Sequence, residues 1–259
     1  MKSHDLLTDS YQTAESAAAW PHSLMPSLFY YSRMLRIVLR SSRMARTNVY
    51  DEEAWAASSR DIIEALEKVG VRFSIEGRDH LKDLSGPCVF VGNHMSTLET
   101  FVLPGLLVPF THLTFVIKRS LMEYPIFRHV MATRDPVVVD RINPREDFKA
   151  VMEEGAKRLS AGVSIVVFPQ TTRQAQFDPA HFNTIGVKLA KRAEVPVIPV
   201  ALKTDAWSNG RFIKDFGPIC PQKTVHFAFG KPLTVPGNGQ QQQAAVVDFI
   251  QSKLDQWQG

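Results

Sequence analysis

At 259 residues, with 44% hydrophobic and 22% charged side chains, the chain is ordinary globular material with enough length for one large core. A formal net charge of +4 points to an anionic partner, whether a membrane surface, a phosphorylated substrate or nucleic acid. Cys88 and Cys220 lie far apart without a CxxC spacing, which indicates neither a zinc site nor a disulfide framework and fits a reducing, cytoplasmic setting. No uncharged apolar run is long enough to span a bilayer, and residues 1–10 carry acids without an apolar stretch, so no secretory signal is expected.

In chain order, the first predicted element is a helix over 26–46. Leu28, Phe29, Tyr30, Met34, Leu35, Ile37, Val38 and Leu39 alternate there with Arg33, Arg36, Arg40, Arg43 and Arg46. Arginines on one side and bulk on the other suit the headgroup boundary of an anionic bilayer, as do Trp20, Phe29, Tyr30 and Tyr31; a helix packed on its own domain has the same pattern. A second helix is predicted over 51–69 and a strand over 71–76. Strands then follow at 88–91, 113–117, 137–139, 164–168, 197–202 and 225–229. They alternate with helices at 96–103, 120–131, 144–160, 181–193 and 241–257. This alternation predicts an α/β fold whose mostly parallel sheet is covered by helices. The organisation expected is a helical membrane-association segment over 1–70 and an α/β domain over 71–259.

Three stretches carry candidate chemistry. His94 and Glu99 flank a strand-to-helix turn, and a histidine that takes a proton from a hydroxyl needs one ring nitrogen free and the other held by an acceptor. The same spacing also serves for a helix cap. Asn93 precedes the base and joins it as a substrate-binding candidate. The strand ending at Phe168 and Pro169 runs into Gln170, Thr171, Thr172 and Arg173, an amide, two hydroxyls and a guanidinium suited to a polar or anionic ligand. Lys118 and Arg119, with Arg134 and Arg141, lie near other predicted strand ends; in a parallel sheet several of these ends meet His94 on one edge.

These stretches resemble the four blocks of the lysophospholipid acyltransferases, the broad 1-acyl-glycerol-3-phosphate acyltransferase family. The first block is a histidine, four residues and an acid, here His94 to Glu99. The second runs from Lys118 through Leu121, Pro125 and Phe127 to Arg141. The third, Phe-Pro-Glu-Gly-Thr-Arg in the family, stands here as Phe168-Pro169-Gln170-Thr171-Thr172-Arg173. The fourth is Val195-Pro196-Val197-Ile198-Pro199-Val200. The resemblance implies an αβα acyltransferase fold and a metal-free reaction in which His94, oriented by Glu99, deprotonates an acceptor hydroxyl that attacks an acyl thioester. It further implies that Arg141 and the loop ending at Arg173 bind the acceptor's polar head. No cofactor is expected beyond acyl-CoA or acyl-ACP as co-substrate. The expected partners are membrane lipids, a lysolipid acceptor and acyl carrier protein, not nucleic acid, at the cytoplasmic face of the membrane. Glu99 stands where the family usually has Asp, and Gln170 and Thr171 replace its Glu-Gly pair, so the departures bear on acceptor choice more than on acyl transfer. A non-catalytic lipid-binding protein of this fold and a thioester hydrolase are the alternatives.

Overall fold

The computed structural model describes residues 9–14, 24–124, 126–170, 172–210 and 213–258. Trp20, Pro125 and Thr171 lie outside the described residues. The strands are β1 (Tyr11–Gln12), β2 (Phe73–Glu76), β3 (Val89–Gly92), β4 (His112–Lys118), β5 (Val137–Val139), β6 (Val163–Val167), β7 (Val197–Lys203) and β8 (Val225–Phe229). The helices are α1 (Pro26–Arg46), α2 (Glu52–Lys68), α3 (Leu98–Leu107), α4 (Phe127–Ala132), α5 (Pro144–Ser160), α6 (Ile185–Ala193) and α7 (Gln240–Gln256).

One eight-stranded sheet runs in the order β1-β2-β8-β7-β3-β6-β4-β5. From β7 to β5 every pairing is parallel, with Val91 opposite both Val167 and Pro199, and Lys118 opposite Val139. Consequently the C-terminal ends of β7, β3, β6, β4 and β5 lie along one edge, the usual ligand edge of an open α/β sheet. β8 runs antiparallel to β7 and pairs in parallel with β2, so the sheet is mixed.

β3 is apolar on both faces because both are covered. Phe90 joins a cluster with Leu103 of α3, Leu66 of α2 and Tyr30 of α1, while Val89 and Val91 join Leu189 of α6, Val151 of α5 and Ile250 of α7. Close approach of α6 to β3 depends on Gly186, where an added Cβ would lie 2.5 Å from Val91 Cγ2.

α1 divides its apolar residues between two surfaces. Tyr30, Met34, Ile37 and Ala45 are buried, whereas Leu28, Leu35 and Leu39 are exposed. Arg33 and Arg40 pair with Glu64 and Asp61 of α2. The simple division into an arginine side and an apolar side is thus corrected: part of the bulk packs on the domain, and two of the arginines face its acids.

Two further expectations are revised. The single helix expected over 120–131 is a 3-10 turn at Arg119–Met122 followed by α4, a break consistent with Pro125 between them, since proline supplies no N–H and disfavours helix in the residue before it. The helix expected from His181 starts at Ile185, after a short 3-10 turn at Pro179–His181.

Candidate active site

The turn between β3 and α3 holds the central pair. His94 Nδ1 lies 3.5 Å from Glu99 Oε2, and neither atom has another hydrogen-bond partner among the described residues. Glu99 is fully buried, and its Oε1 is filled by three donors: Met95 N and Ser96 N at 2.8 Å and Thr204 Oγ1 at 2.7 Å. Ser96 Oγ in turn accepts from Leu98 N and donates to Thr204 Oγ1. Donors of this kind stabilise a carboxylate in a dry site, and their saturation of one oxygen leaves the other to the histidine.

His94 is held from three further directions, one at its ring and two at its main chain. Its ring stacks on Phe168 with centroids 4.5 Å apart and planes 10° from parallel. His94 N donates to Gln170 Oε1 at 2.6 Å, and His94 O accepts from Gln174 N at 2.9 Å. Gln170 Nε2 closes this brace by donating to Gln174 Oε1 at 2.8 Å. An amide at position 170 meets one donor and one acceptor at once, which a carboxylate does only if the Gln174 amide turns over. With 14% of the side chain exposed and Nδ1 buried, the Nε2 edge is the ring's open side.

Other sequence candidates take varied places. Asn93 is buried and spends both ends of its amide on Leu202, donating to its carbonyl and accepting from its N–H at 2.8 Å each. It ties β3 to β7 beside His94, so its geometry is that of a brace. Gln170 is likewise only 2% exposed and engaged with the His94 main chain. Thr172 is exposed beside Arg173, and Lys118 is exposed at the end of β4. Arg119 pairs with Asp140. Arg134 stands apart from this edge: its guanidinium lies 5.3 Å from the Trp55 ring centroid and donates to Tyr50 O.

Arg141 follows β5 with φ 58°, a left-handed conformation that is costly for a side chain. The Asp147 carboxylate holds it there, accepting from Asp140 N and Arg141 N at 2.8 Å each. Although Arg141 is exposed overall, surrounding protein pushes its guanidinium pKa down; Asp147 opposes that shift and Arg173 adds to it by repulsion. Two cationic groups therefore approach the same region from β5 and β6. Arg173 donates to Thr97 Oγ1 and, at 2.6 Å, to Asp215 Oδ1. Thr97 belongs to the turn between β3 and α3, so this guanidinium is tied to the segment that carries His94.

Gln174, Thr204, Asp215 and Tyr124 complete the cluster and are absent from the sequence candidates. Tyr124 donates to Asp215 Oδ2 at 3.2 Å, and that carboxylate is the leading cause of its raised pKa, followed by burial.

A family model described as Acyltransferase matches residues 72–203. The chain is 33% identical over 171 residues to 1-acyl-sn-glycerol-3-phosphate acyltransferase of Pseudomonas aeruginosa, covering 66% of this chain and 62% of that protein. It is 34% identical over 119 residues to the probable 1-acyl-sn-glycerol-3-phosphate acyltransferase of Mycoplasma genitalium, covering 45% of this chain and 44% of the relative. The chain thus spans less than two thirds of either relative's length. The crystal structure of the 1-acyl-sn-glycerophosphate (LPA) acyltransferase PlsC from Thermotoga maritima matches with a TM-score of 0.71 at 16% identity, over 92% of this chain and 96% of that one; this likeness shows a shared fold.

Proposed function

The chain belongs to the acyltransferase family, and we propose that it moves a fatty acyl group from a thioester of coenzyme A or acyl carrier protein to a hydroxyl of a lysophospholipid or related lipid. The observation that carries this reading is the His94–Glu99 pair, with Glu99 Oε1 saturated by three donors and Oε2 left facing Nδ1. A proton on Nδ1 directed at Glu99 leaves Nε2 unprotonated on the ring's open edge, the tautomer a general base requires.

In the proposed reaction, Nε2 takes the acceptor's hydroxyl proton as the oxygen attacks the thioester carbonyl carbon. Glu99 offsets the charge on the imidazolium. The tetrahedral intermediate collapses with cleavage of the C–S bond, and the departing thiolate recovers the proton from Nε2. No enzyme nucleophile or metal enters this scheme, because a deprotonated hydroxyl held close to a thioester suffices. Arg141 and Arg173 are assigned to the acceptor's head. Residues 1–70 are assigned to peripheral membrane association on the cytoplasmic side, with the acyltransferase chemistry in 71–259. No described helix is long and apolar enough to cross a membrane.

The test supplies acyl thioester with and without a panel of lysolipids and detects products by mass spectrometry. Transfer is expected, with His94→Ala reducing kcat by about 10²–10⁴ while the protein stays folded. Wild-type rates in that variant would sink the assignment of the base. Hydrolysis in place of transfer would make the protein a thioesterase, and neither reaction would leave a lipid-binding role.

A further inference from the structure

Asp215 lies outside all four sequence blocks, yet it supplies the carboxylate against which Arg173 is set. Oδ1 receives Arg173 Nη2 at 2.6 Å and Thr97 Oγ1 at 3.3 Å, and Oδ2 receives Tyr124 Oη at 3.2 Å. The two side chains of the ion pair are only 17% and 25% exposed. Thr97 also accepts from Arg173 Nη1 and sits between His94 and Glu99 in the chain, so the pair is fastened to the turn that carries the base.

The described residues on either side of Asp215 are anchored to the core. Their stem closes through a bridge between Trp207 and Ile219, with Trp207 buried against Tyr30. Tyr31 Oη donates to Gly217 O at 2.5 Å, Ser27 Oγ accepts from Ile219 N at 3.0 Å, and Asn209 Nδ2 donates to Met95 O at 3.2 Å. Ser208 O approaches Gly217 so closely that an added Cβ there would lie 1.9 Å from it. None of these anchors involves the Asp215 side chain. The carboxylate is therefore delivered to Arg173 by the backbone rather than by a chance surface encounter.

An acceptor whose head enters here meets an arginine already matched by an acid. A phosphate monoester carries about −1.5 to −2 at neutral pH and offers Asp215 little or nothing to bind. Whatever it gains from Arg141, which approaches the same region, it gains Arg173 only by sitting beside a like charge. A zwitterionic head presents its phosphodiester to Arg173 and its ammonium to Asp215, so both members of the pair find a complement. We propose that Asp215 is a specificity residue that favours lysolipid acceptors carrying a positive group beside their anion over those with a bare phosphate monoester. This inference rests on the acyl-transfer reading above.

The experiment uses the full chain, an acyl-CoA donor and two acceptors with the same acyl chain and the same reacting hydroxyl, lysophosphatidic acid and lysophosphatidylethanolamine. The readout is the ratio of their kcat/KM values within each variant, which cancels any loss of active protein. Asp215→Asn is expected to raise the ratio in favour of lysophosphatidic acid by about tenfold, the scale of one unfavourable charge contact removed and one favourable one lost. Asp215→Glu, which keeps the charge, is expected to stay within about threefold of wild type. An unchanged or lowered ratio in Asp215→Asn overturns the inference and leaves acyl transfer standing. Transfer to neither acceptor by the wild type, from acyl-CoA or from acyl-ACP, overturns this inference, and the lysolipid panel above then decides the acyl-transfer reading on its own.

Discussion

With Glu99 Oε1 occupied by Met95, Ser96 and Thr204, substitution at position 99 separates structure from chemistry. Glu99→Gln keeps an oxygen for the three donors but turns an NH₂ toward His94 Nδ1. That nitrogen must then accept, which moves the ring proton to Nε2 and occupies the site proposed to take the acceptor's proton. We expect kcat to fall by about 10²–10⁴ with little change in KM. Glu99→Ala instead strands three buried donors at about 1–3 kcal/mol each, so its thermal midpoint should drop well below that of Glu99→Gln. Equal activity of Glu99→Gln and wild type in a steady-state assay would remove Glu99 from its orienting role. The positions of His94, Glu99 and the Gln170–Arg173 turn are legible in the sequence because each lies within a few residues of a strand end. Asp215 is not: it reaches Arg173 across 42 residues from a loop without periodicity, and nothing local marks which of 26 acids meets a given arginine. Asn93 is legible as a polar neighbour of His94, but its engagement with Leu202, 109 residues away, depends on β7 lying beside β3.

At the scale of elements, β3 positions His94 only as well as its flanking layers hold it. Val91 is buried two residues after Val89 and three before His94, and α6 approaches it across Gly186. Gly186→Ala places a methyl 2.5 Å from Val91 Cγ2, against a fully buried side chain with no room to retreat. Overpacking of this kind costs about 1–3 kcal/mol, partly offset by alanine's better helix propensity. Chemical denaturation should show the loss, and a midpoint equal to wild type would mean that α6 can slide outward without penalty. The elements themselves are largely readable from hydrophobic period and flanking residues: the helix at 26–46, the helix at 144–160 and the strands at 137–139 and 225–229 fall where periodicity places them. Strand direction is less readable, because alternation carries no sign. β8 follows β7 through a connection with no crossover helix among its described residues, which permits the antiparallel pairing that makes the sheet mixed.

Across the whole molecule, the edge that carries His94 also carries exposed apolar residues. Ile142 after β5 is 88% exposed, and Tyr124, Ile126, Ile213 and Phe216 are exposed on the connections after β4 and β7. Tyr31 of α1 contacts Phe216 at a ring separation of 5.8 Å, which joins the N-terminal helix to this rim. Leu28, Leu35 and Leu39 face outward from α1, and its Arg36, Arg43 and Arg46 have no acidic partner among the described residues. Lone exposed apolar groups are ordinary, but a run of them bordering both a helix with spare cations and a site proposed for lipid acceptors matches an anionic bilayer surface. The proposed peripheral association therefore has two separable parts. Replacing Leu28, Leu35 and Leu39 together by serine removes apolar area that contributes little to the core, so the fold should persist. At about 25 cal/mol per Å² of insertable surface, binding to anionic vesicles should weaken at least about tenfold in a sedimentation assay. Replacing Arg36, Arg43 and Arg46 by glutamine should instead reduce the salt dependence of binding, since exposed charges are screened within about 10 Å at 0.1 M salt while apolar insertion is not. If the serine variant binds as wild type and the glutamine variant keeps its full salt dependence, α1 does not face the bilayer, and association must be sought at the rim around Ile142 and Phe216.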